Sequence, residues 1–321
     1  MKILKDNFNR KIEYLRISIT DRCNSRCKYC MPADGVEFKP HIDILSFEEI
    51  IIIVKVFAKL GVKKIRLTGG EPLVRKNVVS LVKNISAIEG IEEVVMTTNG
   101  LLLKKYAKEL KEAGLNRVNI SIDSLNEEKY SQITRGSNLN DVLEGIEEAK
   151  KVGLTPIKLN TVLVNGFNDD EIIDLVELTK DEKIDVRFIE LMTIGETSNW
   201  TRDRYISNDI VLEKVEGLKK VRKKDKSAPA DYYQIPGYLG RVGLINPISC
   251  SFCSNCNRVR LTSTGRLKLC LHSDVEYNLK KYLDSEEILE NKLLEIIKEK
   301  PEEHKLNKGI SISKSMFQIG G

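Results

Sequence analysis

Tyr14-Leu15-Arg16-Ile17-Ser18-Ile19-Thr20-Asp21-Arg22-Cys23-Asn24-Ser25-Arg26-Cys27-Lys28-Tyr29-Cys30 runs an apolar segment straight into three cysteines. Residues 14–20 read as a β-strand, and the cysteines follow at its carboxyl end. The C-x3-C-x2-C spacing supplies three thiolates rather than four. Structural zinc takes a closed tetrahedral set of N and S ligands, and a fully ligated [4Fe–4S] cluster has one cysteine per iron. No further cysteine occurs before Cys250, so such a cluster here would keep one iron open. A zinc site would need a His such as His41 to complete it, and an electron-transfer ferredoxin would need the missing thiolate.

Outward from this stretch, short apolar strands alternate with amphipathic helices as far as residue 192. Strands are expected over 14–20, 63–68, 93–97, 117–123, 155–163 and 184–191. Helices are expected over 47–60, 78–88, 101–113, 139–152 and 170–180. Ser46 and Glu49 form a capping-box pattern ahead of the first helix. Gly61, Gly90, Gly114 and Gly153 stand where left-handed helix caps belong. Repeated βα units imply a parallel sheet with right-handed crossovers, and six strands suggest a partial (βα)6 TIM-like barrel, an α/β fold open on one side.

Strand alternation then carries chemistry. Arg66 and Thr68 share a face, as do Asn119, Ser121 and Asp123, and Lys158 and Asn160, because side chains alternate with period 2. Ile65, Leu67, Val118, Ile120, Ile157 and Leu159 take the opposite face. In an antiparallel sheet the polar face would simply be solvated. In a parallel sheet backed by helices it must line a wet interior. Ligands in such folds gather at the carboxyl ends of the strands, where the cysteine trio lies.

The chain of 321 residues, 41% hydrophobic and 31% charged, has the balance of a globular protein. Its net charge of +5, from 52 basic and 47 acidic residues, suits a small anion but is too weak to indicate nucleic acid. Seven cysteines in two tight groups argue for metal sites in a reducing compartment rather than a disulfide framework. The longest apolar run, 50–54, is too short to span a bilayer, and a cytoplasmic location is expected. Residues 218–230 are basic, then small and Pro-containing, and read as a linker or surface loop between a domain over 1–217 and a region over 218–321. A charged surface helix is expected over 285–300.

Two further groups stand out. Gly69-Gly70-Glu71-Pro72 directly follows the second strand, where glycines permit close backbone approach. Cys253, Cys256 and Cys270 form C-x2-C-x13-C. With Cys250, or with His272 nearby, they fit zinc as well as they fit iron–sulfur.

Taken together, the first trio and the Gly-Gly-Glu-Pro motif resemble those of the radical S-adenosylmethionine (SAM) enzymes. Lys64 to Leu73, Thr97-Thr98-Asn99-Gly100, Arg187-Phe188-Ile189-Glu190, the run from Phe252 to Leu261, Cys270 and Gly320-Gly321 narrow the resemblance. Over essentially the whole chain it is to the molybdenum cofactor biosynthesis protein A family, the GTP 3′,8-cyclases. The resemblance implies a radical SAM barrel with a smaller C-terminal region. It implies one [4Fe–4S] cluster on Cys23, Cys27 and Cys30 that binds SAM, and a second on Cys253, Cys256 and Cys270 that holds GTP. Tyr29, Gly70, Ser121 and Met192 fall on SAM-binding positions. Arg16, Arg66, Thr97, Lys158, Arg258, Val259 and Arg260 fall on GTP-binding positions. Arg258, Arg260, Gly320 and Gly321 fall on catalytic ones.

The implied reaction is a radical SAM lyase step: a 5′-deoxyadenosyl radical abstracts the ribose C3′ hydrogen of GTP. The product is (8S)-3′,8-cyclo-7,8-dihydroguanosine 5′-triphosphate, in the first step of molybdenum cofactor synthesis. An external flavodoxin- or ferredoxin-like electron donor, a downstream cyclic pyranopterin synthase, and a monomer or homodimer without nucleic acid or membrane are expected. Cys250 is not a family ligand; it is either a spare thiol or a fourth ligand that would close the open iron. A radical enzyme acting on a peptide and a zinc-stabilised nucleic-acid-binding protein are the competing readings. The Asn257-Arg258-Val259-Arg260 run speaks against the first and the modest charge against the second.

Overall fold

A computed structural model describes residues 2–34, 39–192, 200–201, 203–223, 225–249, 253–304 and 314–319. The βα alternation is present. Strands β1 (Tyr14–Ser18), β2 (Lys64–Thr68), β3 (Glu93–Thr98), β4 (Arg117–Ser121), β5 (Ile157–Leu163) and β6 (Ile184–Glu190) pair in chain order, all parallel. Helices α1 (Phe47–Lys59), α2 (Val78–Ser86), α3 (Leu103–Glu112), α4 (Glu127–Thr134), α5 (Leu139–Lys151) and α6 (Ile172–Glu177) fall between these strands. Ile65, Leu67, Val118, Ile120, Ile157 and Leu159 are fully buried in one core with Ile53, Phe57, Leu81, Leu110 and Ile146 of the helices. The apolar strand face is therefore the helix-covered one, as the alternation predicts.

Local signals fix the helix ends. The Ser46 side chain accepts from the Glu49 N–H at 3.1 Å and the Glu49 carboxylate accepts from the Ser46 N–H at 2.7 Å, a closed capping box that satisfies two otherwise orphaned donors. Beyond α1 the chain turns at Gly61 with φ +95°, a left-handed conformation that glycine adopts without penalty. Helix α4 is not anticipated by the sequence reading. It is short and mostly polar, nucleated by the Asn126 side chain accepting from the Lys129 N–H.

The sheet extends past the six expected strands at both edges. Strand β7 (Lys219–Val221), β8 (Ala230–Gln234) and β9 (Arg241–Ile245) follow α7 (Asp209–Lys214). Here β9 lies parallel beside β6, with β8 and β7 antiparallel beyond it. At the other edge β10 (Arg258–Leu261) lies parallel beside β1, followed by the antiparallel β11 (Arg266–Lys268) and β12 (Tyr277–Asn278). The basic stretch expected as a linker thus contributes an edge strand, whose lysines suit an edge that must not pair further. The expected charged helix is α8 (Glu286–Ile296), with Leu289, Leu293 and Ile296 buried. A last helix, α9, covers Met316–Ile319. Among the described residues, no helix is long and apolar enough to cross a membrane.

The sheet curls. Nη2 of Arg258, on β10, donates to the carbonyl oxygen of Ser227, just before β8, at 3.1 Å. In a flat sheet the intervening strands would hold these elements about 38 Å apart. The inner, helix-free face therefore closes around an interior.

Candidate functional site: two cysteine trios across a cationic interior

The first trio sits on a loop fastened from three sides. The N–H groups of Arg26 and Lys28 donate to the carbonyls of Thr134 and Ile133, at the end of α4, at 3.0 and 2.9 Å. Arg135, in left-handed conformation at φ 58°, reaches back to the carbonyls of Arg26 and Met31. The N–H groups of Gly70 and Glu71 donate to the carbonyls of Thr20 and Arg22, each at 2.8 Å. A Cβ on Gly70 would lie 2.3 Å from the Arg22 carbonyl oxygen. The glycine motif thus presses β2 against the cysteine loop, and its N–H groups serve that contact.

Glu71 locks the same junction from below. Its buried carboxylate accepts from the Leu73 N–H, the Thr98 hydroxyl and the Asn99 N–H at 2.7–2.9 Å. Burial pushes it up to about 7 against those bonds. Tyr29 donates to Asp123 at 2.6 Å, and Asp123 also accepts from the Val162 N–H. Burial pushes Asp123 up to about 6. The ring of Tyr29 is thereby fixed at the carboxyl end of β4.

Burial, aided by neighbouring negative groups, pushes the Cys23 thiol up to about 11 and Cys27 to about 12, and raises Cys30 as well. Three such thiolates persist only against a compensating positive charge, which a metal centre supplies. The thiols of each trio interact electrostatically with one another. Yet no three His, Cys, Asp or Glu side chains among the described residues are gathered to hold a single ion. Three cysteines without a fourth suit a polynuclear cluster that takes one thiolate per iron. Ser25 and Asn99 add polar contacts to sulfur, at 3.4 Å from the Ser25 N–H to Cys23 and 3.9 Å from the Asn99 amide.

Cys253 and Cys256 lie on a short turn before β10, with the Cys256 N–H bonded to the Cys253 carbonyl at 3.0 Å. Cys270 follows β11. His272 packs edge-on against His304 at 4.9 Å. Burial, His304, Arg260 and Lys268 depress it to about 3. Cys250 lies outside the described residues. Helix α9 reaches toward both trios: the Phe317 backbone opposes the upward push of burial on the Cys30 thiol, while Ile319 packs with Leu271, next to Cys270, and with Met192. Gly320 and Gly321, which follow it, lie outside the described residues.

Between the trios the inner face is cationic. Arg260, Arg16 and Arg66 stand in register across β10, β1 and β2, and Thr97, Asn119 and Lys158 across β3, β4 and β5. Burial, and in part the cations beside them, lower Arg66 and Arg260 to about 10 and Arg16 well below its ordinary value. Buried donors on Arg66 Nε, Asn119 Nδ2 and Arg187 Nε, and the Thr97 hydroxyl, find no hydrogen-bond partner. Such groups are costly unless a ligand completes them. Lys158 bonds the Tyr232 hydroxyl at 3.0 Å and pairs with Asp185 at 3.4 Å.

Ser121 lines this inner face at the end of β4, half-buried. Val259 differs from the expectation: its side chain is buried in the helix-side core opposite Leu15, because alternation turns Arg258 and Arg260 inward and the residue between them outward. Only its backbone can face a ligand. Sequence reasoning missed Arg187, although its alternation with Asp185 on β6 places it inward. It also missed Tyr14 and Tyr232. Tyr232 reaches the interior through strand pairing that no local pattern announces.

Residues 17–179 match the Radical SAM superfamily and residues 184–306 match Molybdenum Cofactor Synthesis C. The chain is 58% identical over 320 residues to the GTP 3′,8-cyclase of Peptoclostridium acidaminophilum, covering 99% of this chain and 98% of that protein. It is 54% identical over 321 residues to the GTP 3′,8-cyclase of Alkaliphilus metalliredigens, covering 99% and 100%. The crystal structure of Streptococcus suis SuiB superposes with a TM-score of 0.61 at 15% identity, over 94% of this chain and 69% of that one. That likeness shows the partial-barrel fold.

Proposed function

The chain belongs to the GTP 3′,8-cyclase family of radical SAM proteins, and from that premise we infer that it converts GTP to (8S)-3′,8-cyclo-7,8-dihydroguanosine 5′-triphosphate. This is the first step of molybdenum cofactor synthesis. The observation that carries the reading is the row of cations and unpartnered donors facing one interior between two cysteine trios. A nucleoside triphosphate matches that surplus, since guanidinium forks and an ammonium recognise phosphate oxygens.

When bound, the two [4Fe–4S] clusters and SAM would supply the organic radical chemistry at the ribose C3′ and a binding point for the guanine. Cys23, Cys27 and Cys30 would hold the first cluster, and Cys253, Cys256 and Cys270 the second. Tyr29, Gly70, Ser121 and Met192 form the SAM pocket. Arg16, Arg66, Lys158 and Arg187 grip the triphosphate, with Thr97 and Asn119 orienting it. Arg258 and Arg260 position the substrate at the second cluster, and Gly320 and Gly321 fall on catalytic positions of the family. Fixed donors of this kind act by position and by exclusion of water, which suits a chain with only three histidines. An external flavodoxin- or ferredoxin-like protein would supply electrons, and a cyclic pyranopterin synthase would take the product.

The test is GTP-dependent release of 5′-deoxyadenosine by anaerobically reconstituted protein. Cys27→Ala is expected to abolish it; release that persists in that variant would overturn the reading.

A further inference from the structure

Lys300 is 3% exposed, and its ammonium is spent on backbone oxygens. It donates to the Arg258 carbonyl at 2.9 Å and to the Leu269 carbonyl. Arg258 lies two residues after Cys256, and Leu269 immediately precedes Cys270. The β10–β11 ladder pairs Arg260 with Lys268 and Leu261 with Leu267. Toward the cysteines that ladder ends, and Lys300 bridges the two arms there.

A second buried cation holds Lys300 in place. Arg10, 8% exposed and paired to Asp6 at 2.5 Å, donates from Nη1 to the carbonyls of Cys253 and Glu302, each at 2.7 Å. Its Nη2 donates to the Pro301 carbonyl at 2.6 Å. One guanidinium thus ties the turn of Cys253 to the two residues that follow Lys300.

The ammonium so placed lies against the backbone of both cysteine arms, two residues from Cys256 and one from Cys270. Carbonyl oxygens solvate the ammonium without cancelling its charge, so in a low-dielectric site the field reaches what the thiols hold.

We propose that Lys300 is a positioning residue of the second trio: it fixes the spacing between the Cys256 and Cys270 arms, and its charge biases the iron–sulfur cluster held there toward the reduced state. The inference rests on the two-cluster reading above. Losing a nearby positive charge makes an added electron less welcome, so the reduction potential must fall.

The experiment is anaerobic redox titration of reconstituted full-length protein without GTP, following each cluster by electron paramagnetic resonance, with iron counted. Wild type must first show two clusters; a single one would overturn the two-cluster reading and this inference with it. Lys300→Met is expected to lower the potential of the second cluster and leave the first unmoved, while Lys300→Arg keeps the wild-type value. Lys300→Met with both clusters at wild-type potentials overturns the proposal, as does an equal shift in both. If Lys300→Met takes up the first cluster alone, Lys300→Arg must restore the second; failure of that restoration also overturns it.

Discussion

Arg16 and Arg66 stand directly opposite each other on β1 and β2, two like charges in register on one face. Across paired strands, like charges facing each other are destabilising, and here burial removes most of the water that would screen them. Arg117, Arg187 and Arg258 add to the repulsion at Arg66. The interior thus gathers like charges that an anion would relieve.

Replacing Arg66 by Met should therefore help the fold and harm the reaction. The buried Nε of Arg66 has no hydrogen-bond partner and, among the described residues, its guanidinium is eased only by the Tyr14 ring, 5.5 Å away, so exchanging this buried charge for an apolar side chain removes a desolvation penalty larger than the contact it gives up. Arg66→Met is expected to raise the melting temperature of nucleotide-free protein in low salt by a few degrees, and to raise KM for GTP at least about tenfold, the worth of one charge-assisted hydrogen bond. Differential scanning fluorimetry and steady-state kinetics read the two effects. A lower melting temperature would contradict the repulsion argument.

Gly70→Ala should act on the first cysteine loop alone. The added methyl would sit 2.3 Å from the Arg22 carbonyl oxygen, so either β2 or the loop must move. Reconstituted iron is expected to fall from about eight per chain to about four, one cluster's worth, with the signal of the second cluster retained. Full iron loading would show that the contact yields without consequence.

The pH dependence of Glu71 has a definite sign. Its carboxyl titrates at about 7 when folded, against 4.5 ordinarily, so between these values the folded chain holds a proton that the unfolded chain has lost. Wild-type stability from this group therefore declines as pH rises from about 4.5 to about 7 and levels off above, by about 3 kcal/mol. In Glu71→Gln that dependence is absent. Its amide also meets the Asn99 N–H, which now bonds a carboxylate oxygen. The advantage of wild type over Glu71→Gln in denaturant melts of metal-free protein should thus shrink as pH rises through the window. An advantage that grows would reverse the assignment.

Arg258 separates radical generation from cyclisation. It faces the interior from β10 opposite Tyr14, at the end of β1 remote from the first trio, and bonds the Ser227 carbonyl. Arg258→Ala should leave the iron of the first cluster intact and SAM cleavage detectable, while cyclised product falls by about tenfold or more, from roughly 1.5–3 kcal/mol of charged hydrogen bonding. Chromatographic quantification of 5′-deoxyadenosine against cyclised nucleotide measures the split. Equal loss of both would place Arg258 in SAM handling instead.

The central strands, the capping box at Ser46 and the inward face were legible because period 2 and period 3.6 leave local traces that survive any tertiary context. Lys158 and Asn119 could be placed on one face from spacing alone, and they lie side by side. The edges were not legible. Nothing in Lys219-Lys220-Val221 marks a strand until Tyr232 pairs with it, and β10 finds β1 from far along the chain. Helix α4 was missed because eight residues with Tyr130 and Ile133 as the main buried side chains carry little periodic signal. The cysteine spacing announced metal chemistry, but the fastening of the loop by Thr134, Ile133 and Arg135 depends on contacts that only the folded chain brings about.

The place of β1 between β2 and β10 carries a consequence for biogenesis. As the polypeptide leaves the ribosome, β1 gains its first neighbour early and its other one only after residues 258–261 emerge. Throughout that interval one flank of the strand leading to Cys23 is bare backbone, open to mispairing with another nascent chain. Docking of residues 258–261 closes that flank, and in the same step brings the turn of Cys253 and Cys256 to the amino end of the strand whose carboxyl end leads to Cys23.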